Sequence, residues 1–311
     1  MKNKQAFIYL LAILAMLFWG LSFIWSTIVF EYYNPITTVF LRLVLSSAIL
    51  WFIVKFLKKK EKIQREHYKL FAFSALLNPF LYFIGENFGL KMTSPTISAV
   101  IIATIPLLTP VVGVMMLNEK LSKLNYIGMV ISFAGILIML VKPDLTLVAP
   151  PLGVLLLAFA VLAAVAYSVL LKKLSAHYSA FTIIATQNVI GAFYFLPLFL
   201  LFDFKHFITV IPDRRLVLSL LQLAFFASTL AFVFYTIVTK RLGISRTNIF
   251  SNLIPVFTAI FSYFILNEIF TLNKIAGIAL VVSGVALSQL QRTHRIAGIY
   301  RYIFFNKQKE N

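Results

Sequence analysis

The sequence predicts an all-α membrane protein, ten transmembrane helices arranged as two inverted five-helix repeats. Three observations carry this expectation. Charged residues make up only 12% of the 311 positions and hydrophobic ones 61%, where a soluble domain carries roughly 25% charged residues. The mean hydropathy is +0.93. Apolar stretches that could cross a bilayer recur along the whole chain, a spanning helix needing ~20 mostly apolar residues. Finally, the chain matches itself at an offset of 149 residues.

The expected spans are 6–30, 35–57, 69–90, 95–116, 124–141, 151–173, 180–201, 215–238, 247–266 and 273–290. They are continuously apolar and do not alternate, which argues against a transmembrane β-barrel. The first follows a short polar leader, MKNKQ, with no small-residue cleavage signal, and is expected to be an uncleaved span starting in the cytoplasm. The connecting loops are short, the longest near 58–68 and 202–214, and leave no room for an extramembrane domain. There is no cysteine, which excludes disulfides and thiolate chemistry.

The net charge of +18 invites a nucleic-acid reading, but its placement argues for topology. With the N-terminus inside, 21 of the 28 Lys and Arg residues fall on cytoplasmic ends and loops, 6 fall outside and Arg42 lies within a span. That bias is the positive-inside rule. It implies contact with anionic membrane lipids and no nucleic-acid partner. The Arg214-Arg215 pair is the main exception, softened by Asp203 and Asp213.

The repeat is clearest over 105–140, where 8 of 36 positions are identical at the offset. Ile105-Pro106 and Thr109 align with Ile254-Pro255 and Thr258, Leu117-Asn118-Glu119 with Leu266-Asn267-Glu268, and Gly128 and Gly135 with Gly277 and Gly284. Each copy, 6–141 and 151–290, holds five spans, an odd number, so the second is expected upside down relative to the first. Inverted repeats of this kind are a transporter signature, with a site near the midplane between the halves. Pro106 and Pro255 are expected mid-span in the fourth and ninth helices, where proline frees a carbonyl and permits a kink.

These features together resemble the EamA-type branch of the drug/metabolite transporter superfamily, over residues 8–290. The carriers are Phe18-Trp19-Gly20-Leu21-Ser22-Phe23, Leu41-Arg42-Leu43, Pro106, the Leu117-Asn118-Glu119 turn, Gly128 and Gly135, with Pro255, Asn267-Glu268 and Gly277 in the second copy. The family usually has Gly before the Glu of its turn, and both copies here have Asn. Near residue 164 the equivalent of Trp19 is Ala. The resemblance implies a carrier of small organic solutes, often an exporter. The lack of a targeting signal, the short loops and the absence of cysteine suit a bacterial cytoplasmic membrane, with an organellar membrane as the alternative.

Intramembrane polar residues nominate the site. A charge at a helix centre costs ~2.5–3.5 kcal/mol on insertion scales, and only Arg42 and Glu86 lie clearly within spans. Two roles fit: an ion pair or polar cluster facing a cavity in which Glu86 titrates or contacts substrate, or a structural one, as a permanent pair or as an Arg42 reaching alone toward headgroups. Asn78, Tyr82 and Glu86 are spaced by four and share one helix face, with Gly85 and Gly89 thinning the adjoining face. Trp19, Ser22 and Ser26 form a second stripe, and Asn248, Asn252 and Pro255 a third. Gln187 and Asn188 sit together in the seventh span, and Tyr235 is the repeat equivalent of Glu86.

The expected substrate-binding set is thus Trp19, Ser22, Asn78, Tyr82, Glu86, Gln187, Tyr235, Asn248 and Asn252. Arg42, Pro106, Glu119, Pro255 and Glu268 are assigned gating or structural roles, the two glutamates as caps of following helices or acceptors of loop amides. Interhelical hydrogen bonding is the competing role for each amide. The expected partners are a small amphipathic solute, such as an amino acid derivative or lipophilic cation, and protons if Glu86 titrates.

No cofactor or metal is expected. The four histidines fall at loops or ends without metal spacing, and no GxxxxGK[ST] motif for ATP occurs. A membrane enzyme would need a carboxylate, histidine or metal cluster at an interface, and a receptor would tolerate loss of the polar stripes. The basic, aromatic segment 292–311 is expected on the inner membrane surface or as a disordered tail.

Overall fold

The computed structural model describes residues 2–56, 61–109, 123–142, 146–243, 247 and 250–288. Glu119, Asn248 and the tail 292–311 lie outside them. The described residues are helical apart from short connections, and the only sheet-type pairing among them is the antiparallel bridge Val141–Leu147. The helices are α1 (Lys2–Val29), α2 (Pro35–Phe56), α3 (Arg65–Met92), α4 (Pro95–Thr109), α5 (Lys123–Leu140), α6 (Pro151–His177), α7 (Ala180–Phe207), α8 (Arg214–Leu242), α9 (Leu253–Leu266) and α10 (Leu272–Ser288).

Seven of these, α1, α2, α3, α5, α6, α7 and α8, are long and apolar enough to cross a membrane. Helices α4, α9 and α10 are shorter apolar helices of 10–17 residues among the described residues. The shortening of α9 has a visible cause. A turn at Ser251-Asn252 precedes Leu253, so Pro255 stands in the first helical turn and not mid-span as the sequence suggested. There its missing N–H costs no ladder bond. Helix α4 has a comparable turn at Ala103-Thr104, just before Pro106.

Large apolar side chains such as Phe52, Val130, Phe193 and Phe264 stand exposed on the helix faces, with 64–74% of their area free. Such a surface is unstable in water and natural against lipid tails. Inside, α3 packs on α6, α2 on α7, and α1 on α8 and α9. Close approach is licensed by glycine. Cβ atoms at Gly85 and Gly89 would collide with α6 at Leu156, Leu157, Ala160 and Gly153. Gly20 lies against α9, where Thr258 Oγ1 donates to its carbonyl at 3.0 Å.

Helices α5 and α10 run antiparallel along a glycine seam. Gly128 faces Gly284, and Gly135 faces Gly277, so close that a Cβ would meet the opposite carbonyl oxygen. Midway, Ser132 Oγ donates to Val281 O at 2.9 Å. The i, i+7 spacing of the glycines keeps both on one face.

Three helices depart from regular α geometry. Hydrogen bonding widens to the π pattern over Leu76–Leu81, Phe199–Asp203 and Leu223–Ala231. In α3 the backbone of Asn78 is extended (φ −146°, ψ 118°) next to Pro79. A proline lacks the donor for its turn and forces such a break.

The helix ends are tied across the chain. Asp203, buried at the end of the π segment in α7, accepts from Thr37 N at 3.1 Å, Thr37 Oγ1 at 2.8 Å and Asn34 Nδ2 at 3.2 Å. It thereby satisfies orphan donors at the start of α2, as a local N-cap would. Lys91 donates to Asn34 Oδ1 at 2.7 Å. Asp213 caps α8, accepting from Leu216 N at 2.7 Å, and Tyr32 donates to it at 2.6 Å. The Leu216 amide and then the Tyr32 hydroxyl hold the Asp213 carboxyl below the usual carboxylate range. Arg215 forms a bidentate pair with Glu31 at 2.8 and 3.1 Å.

Candidate functional site

A cavity of about 100 Å³ opens among seven helices, with the turn before α9 at its edge. Trp19, Ser22 and Phe23 of α1 line it, with Arg42 of α2 and Asn78, Tyr82, Phe83 and Glu86 of α3. Helix α4 adds Ile102, Ile105, Pro106 and Thr109, α6 adds Ala164, Tyr167, Ser168 and Leu171, and α8 adds Phe232 and Tyr235. Ser251 and Ile254 complete it. Both copies of the repeat therefore contribute to one chamber.

The α3 stripe works as its spacing predicts. The break at Asn78-Pro79 leaves Asn78, Tyr82 and Glu86 all on the cavity wall. Tyr82 Oη donates to Glu86 Oε1 at 2.8 Å, and Asn87 Nδ2 donates to Oε2 at 3.2 Å. Asn87 also donates to Phe83 O at 3.0 Å, so its amide is fixed by the helix that carries it. A buried carboxylate needs such donors to offset its lost hydration.

Arg42 shares the chamber with Glu86 but does not pair with it. Its Nε donates to Ser228 Oγ at 2.8 Å, and its guanidinium lies over the Phe83 ring, Cζ 4.4 Å from the centroid. The ion pairs among the described residues are Arg215–Glu31 and Lys274–Glu268, at the helix ends. Both side chains stand on the chamber wall with no ion pair between them.

An aromatic wall stands beside these charges. The Trp19 ring packs against Phe232 at 5.0 Å and Tyr235 at 5.1 Å. Ser22 Oγ turns back to Trp19 O at 2.7 Å, satisfying itself within α1. The repeat equivalent of Glu86, Tyr235, thus faces the same space as Glu86 itself.

Other nominated residues stand elsewhere. Gln187 is buried outside the lining, accepting from Tyr167 Oη at 2.9 Å and donating to Ser74 Oγ at 2.9 Å. Its neighbour Asn188 donates to Ser46 Oγ at 2.8 Å and Ser228 O at 3.3 Å, joining α2, α7 and α8. Both amides knit helices together. Asn252 and Pro255 are both buried and neither lines the chamber.

Glu268 departs from its expected role as a cap. It accepts from Thr96 Oγ1 at 2.7 Å, from Lys274 Nζ at 2.7 Å and from Ser262 Oγ, linking the start of α4 to the α9–α10 turn. Burial pushes its carboxyl up, but the Lys274 ammonium and the hydroxyls of Ser262, Ser94 and Thr96 outweigh burial and hold it below the ordinary range. The turn itself is made by Asn267, which adopts a left-handed conformation (φ 54°, ψ 36°). Asparagine tolerates that region next best to glycine, so the Asn-Glu variant preserves the turn.

Tyr167, Ser168, Thr109 and Ser251 line the chamber and were not nominated by sequence. Thr109 and Ser251 carried a weak signal, the first as a repeat identity and the second as the neighbour of Asn252. Tyr167 and Ser168 lie in a nearly featureless apolar helix that offers no contrast.

Known proteins share this architecture and sequence. A solved structure described only as "Crystal structure of protein" superposes with a TM-score of 0.70 over 91% of this chain and 98% of its own, at 17% identity, a likeness of fold alone. The uncharacterized transporter YetK of Bacillus subtilis (strain 168) is 26% identical over 94% of this chain and 88% of its own length. An uncharacterized transporter of Archaeoglobus fulgidus is 28% identical over 90% of this chain and 96% of its own. The EamA-like transporter family matches residues 6–141 and again 151–290. With two matches covering most of its length and a polar chamber between them, the chain belongs to the EamA-like transporter family and is a multi-pass membrane transporter of small solutes.

Proposed function

We propose that the protein is a secondary transporter, an exporter of small amphipathic organic solutes working by alternating access between two inverted five-helix halves, 6–141 and 151–290. The observation that carries this reading is the chamber lined from both copies of the repeat. The seam contacts support the inversion. Exchanging each residue for its partner at the 149-residue offset turns the Gly128–Gly284 contact into Gly277–Gly135, which is also present. Ser132 bonds to Val281, its own repeat equivalent. A contact set that maps onto itself in this way is what a two-fold relation between antiparallel halves generates. At the same offset the π segment Leu76–Leu81 falls within Leu223–Ala231, and the turns preceding Pro106 and Pro255 match to within one residue.

The solute is an amino acid derivative or drug-like molecule, its apolar body against Trp19, Phe232 and Tyr235. Both termini lie in the cytoplasm of a bacterial cell, and Glu86 couples efflux to a proton gradient. The protein reconstituted in vesicles and screened with labelled solutes should show saturable flux. With Glu86→Gln, flux should persist but lose its response to an imposed pH gradient. Equal gradient-driven flux by wild type and variant overturns the coupling. The chain has no native cysteine, so single cysteines at Asn118 and Asn267 report sidedness cleanly. Labelling of both from one side overturns the inversion.

A further inference from the structure

The two charges in the chamber are held apart, and they are dressed differently. Glu86 has a donor on each oxygen, Tyr82 at 2.8 Å and Asn87 at 3.2 Å. Arg42 is 2% exposed, yet only its Nε is bonded, to Ser228. A guanidinium offers five N–H donors in a rigid fork. Among the described residues the four N–H groups on Nη1 and Nη2 have no hydrogen-bond partner, while Arg42 borders the cavity. The Phe83 ring beneath it fixes the plane of the fork without consuming a donor. A preset, desolvated fork with a bare edge fits the two oxygens of a carboxylate, the bidentate geometry in which arginine binds best.

We infer that the chamber selects dipolar solutes, the Nη edge of Arg42 docking a carboxylate while Glu86 receives a cationic group. A simple lipophilic cation would satisfy Glu86 but leave the Arg42 edge bare and add a second positive charge to a low-dielectric space. A simple organic anion would satisfy Arg42 but bring a second negative charge toward Glu86. A molecule carrying both charges answers both groups at once, and charges buried without partners are the costly alternative. The remaining wall, Trp19, Phe232 and Tyr235, accepts an apolar body. This assignment deepens the transport reading and rests on it for the passage of the solute, though not for its binding.

The test uses matched trios: a dipolar member with its amine and its carboxylate alone. Alanine, ethylamine and propionate form the smallest, then leucine, isoamylamine and 4-methylvalerate, then phenylalanine, phenethylamine and 3-phenylpropionate. Binding to the purified full-length protein is measured by calorimetry at neutral pH. In at least one trio the dipolar member should bind tenfold or more tightly than both halves. In that trio Arg42→Lys, which keeps the charge but loses the fork, should weaken the dipolar member at least fivefold and leave the amine unchanged. Glu86→Gln should weaken the dipolar member and spare the carboxylate. Should the amine match or exceed the dipolar member in every trio, or should no dipolar member bind, the inference is overturned, whatever happens to the variants. Tight dipolar binding without flux in vesicles would overturn transport while leaving the inference standing, and flux of amines alone would do the reverse.

Discussion

The seam between α5 and α10 makes a quantitative prediction about Gly128. A Cβ placed there would lie 2.7 Å from Ser288 Cβ and 2.8 Å from Ser288 N, with the Gly284 carbonyl oxygen closer still. Carbon atoms rest at about 3.5–4.0 Å, so α10 must retreat by roughly 1 Å for Gly128→Ala to fit. The obstacles are backbone atoms, and no rotamer change relieves them. Overpacking of this kind costs about 1–3 kcal/mol. Alanine's better helix propensity returns about 0.8–1 kcal/mol. The difference spans about 0–2 kcal/mol, and because main-chain atoms cannot turn aside, the expectation is its upper half, a loss of about 1–2 kcal/mol. At Gly277 the nearest carbonyl and Cβ stand at 2.7 and 2.9 Å, so Gly277→Ala should cost less. Thermal unfolding in one detergent, followed by the fluorescence of Trp19, Trp25 and Trp51, reads the effect. For Gly128→Ala a fall of roughly 2–6 °C corresponds to it. An unchanged or raised midpoint, or a larger loss at Gly277 than at Gly128, would refute the reasoning.

Other consequences can be read by the same assay. The Glu268 carboxyl is held below the ordinary glutamate range in the folded chain, so its contribution to stability is full above the unfolded value and is lost as pH falls through the folded one. The midpoint should therefore drop as the pH is taken into the acid range below that of a free glutamate, and Glu268→Gln should flatten part of that decline. Asp203→Ala strips acceptors from Thr37 N, Thr37 Oγ1 and Asn34 Nδ2 and should cost at least about 2 kcal/mol, since buried donors are left bare. Thr37→Val removes one of those bonds and should cost about 1 kcal/mol. Thr258→Val, which deletes the bond to the Gly20 carbonyl, should cost about 1 kcal/mol as well.

Helix positions are legible in this sequence because lipid imposes a long apolar run on each, and every one of the ten expected stretches contains a helix among the described residues. Lengths are less so. Nothing in the composition of 247–266 marks the turn at Ser251-Asn252 that shortens α9. The stripe Asn78-Tyr82-Glu86 is legible from its spacing alone, and all three members reach the chamber. Gln187 shows where such reasoning stops. The cost of an amide in hydrocarbon dictates that it turn inward, but inward includes helix contacts as well as cavities, and Tyr167 and Ser74 satisfy it in the former. Intramembrane charge singles out Arg42 and Glu86, and both line the chamber, but whether they touch depends on the rotation of α2 and α3, and Arg42 is held by Ser228 and Phe83 instead.

The glycine seam has a mechanical corollary. Where two helices meet through main-chain atoms, no lipid tail or water can wedge between them, and there are few side chains whose rotation could loosen the joint. A rigid rotation displaces atoms in proportion to their distance from its axis, so a joint at Ser132 and Val281 stays nearly still while the far ends of the bundle travel. In the alternating-access reading proposed above, the ties that such a swing would have to break include those that Asp203 and Asp213 make between the two halves of the chain, and their strength would set how often the chamber changes sides.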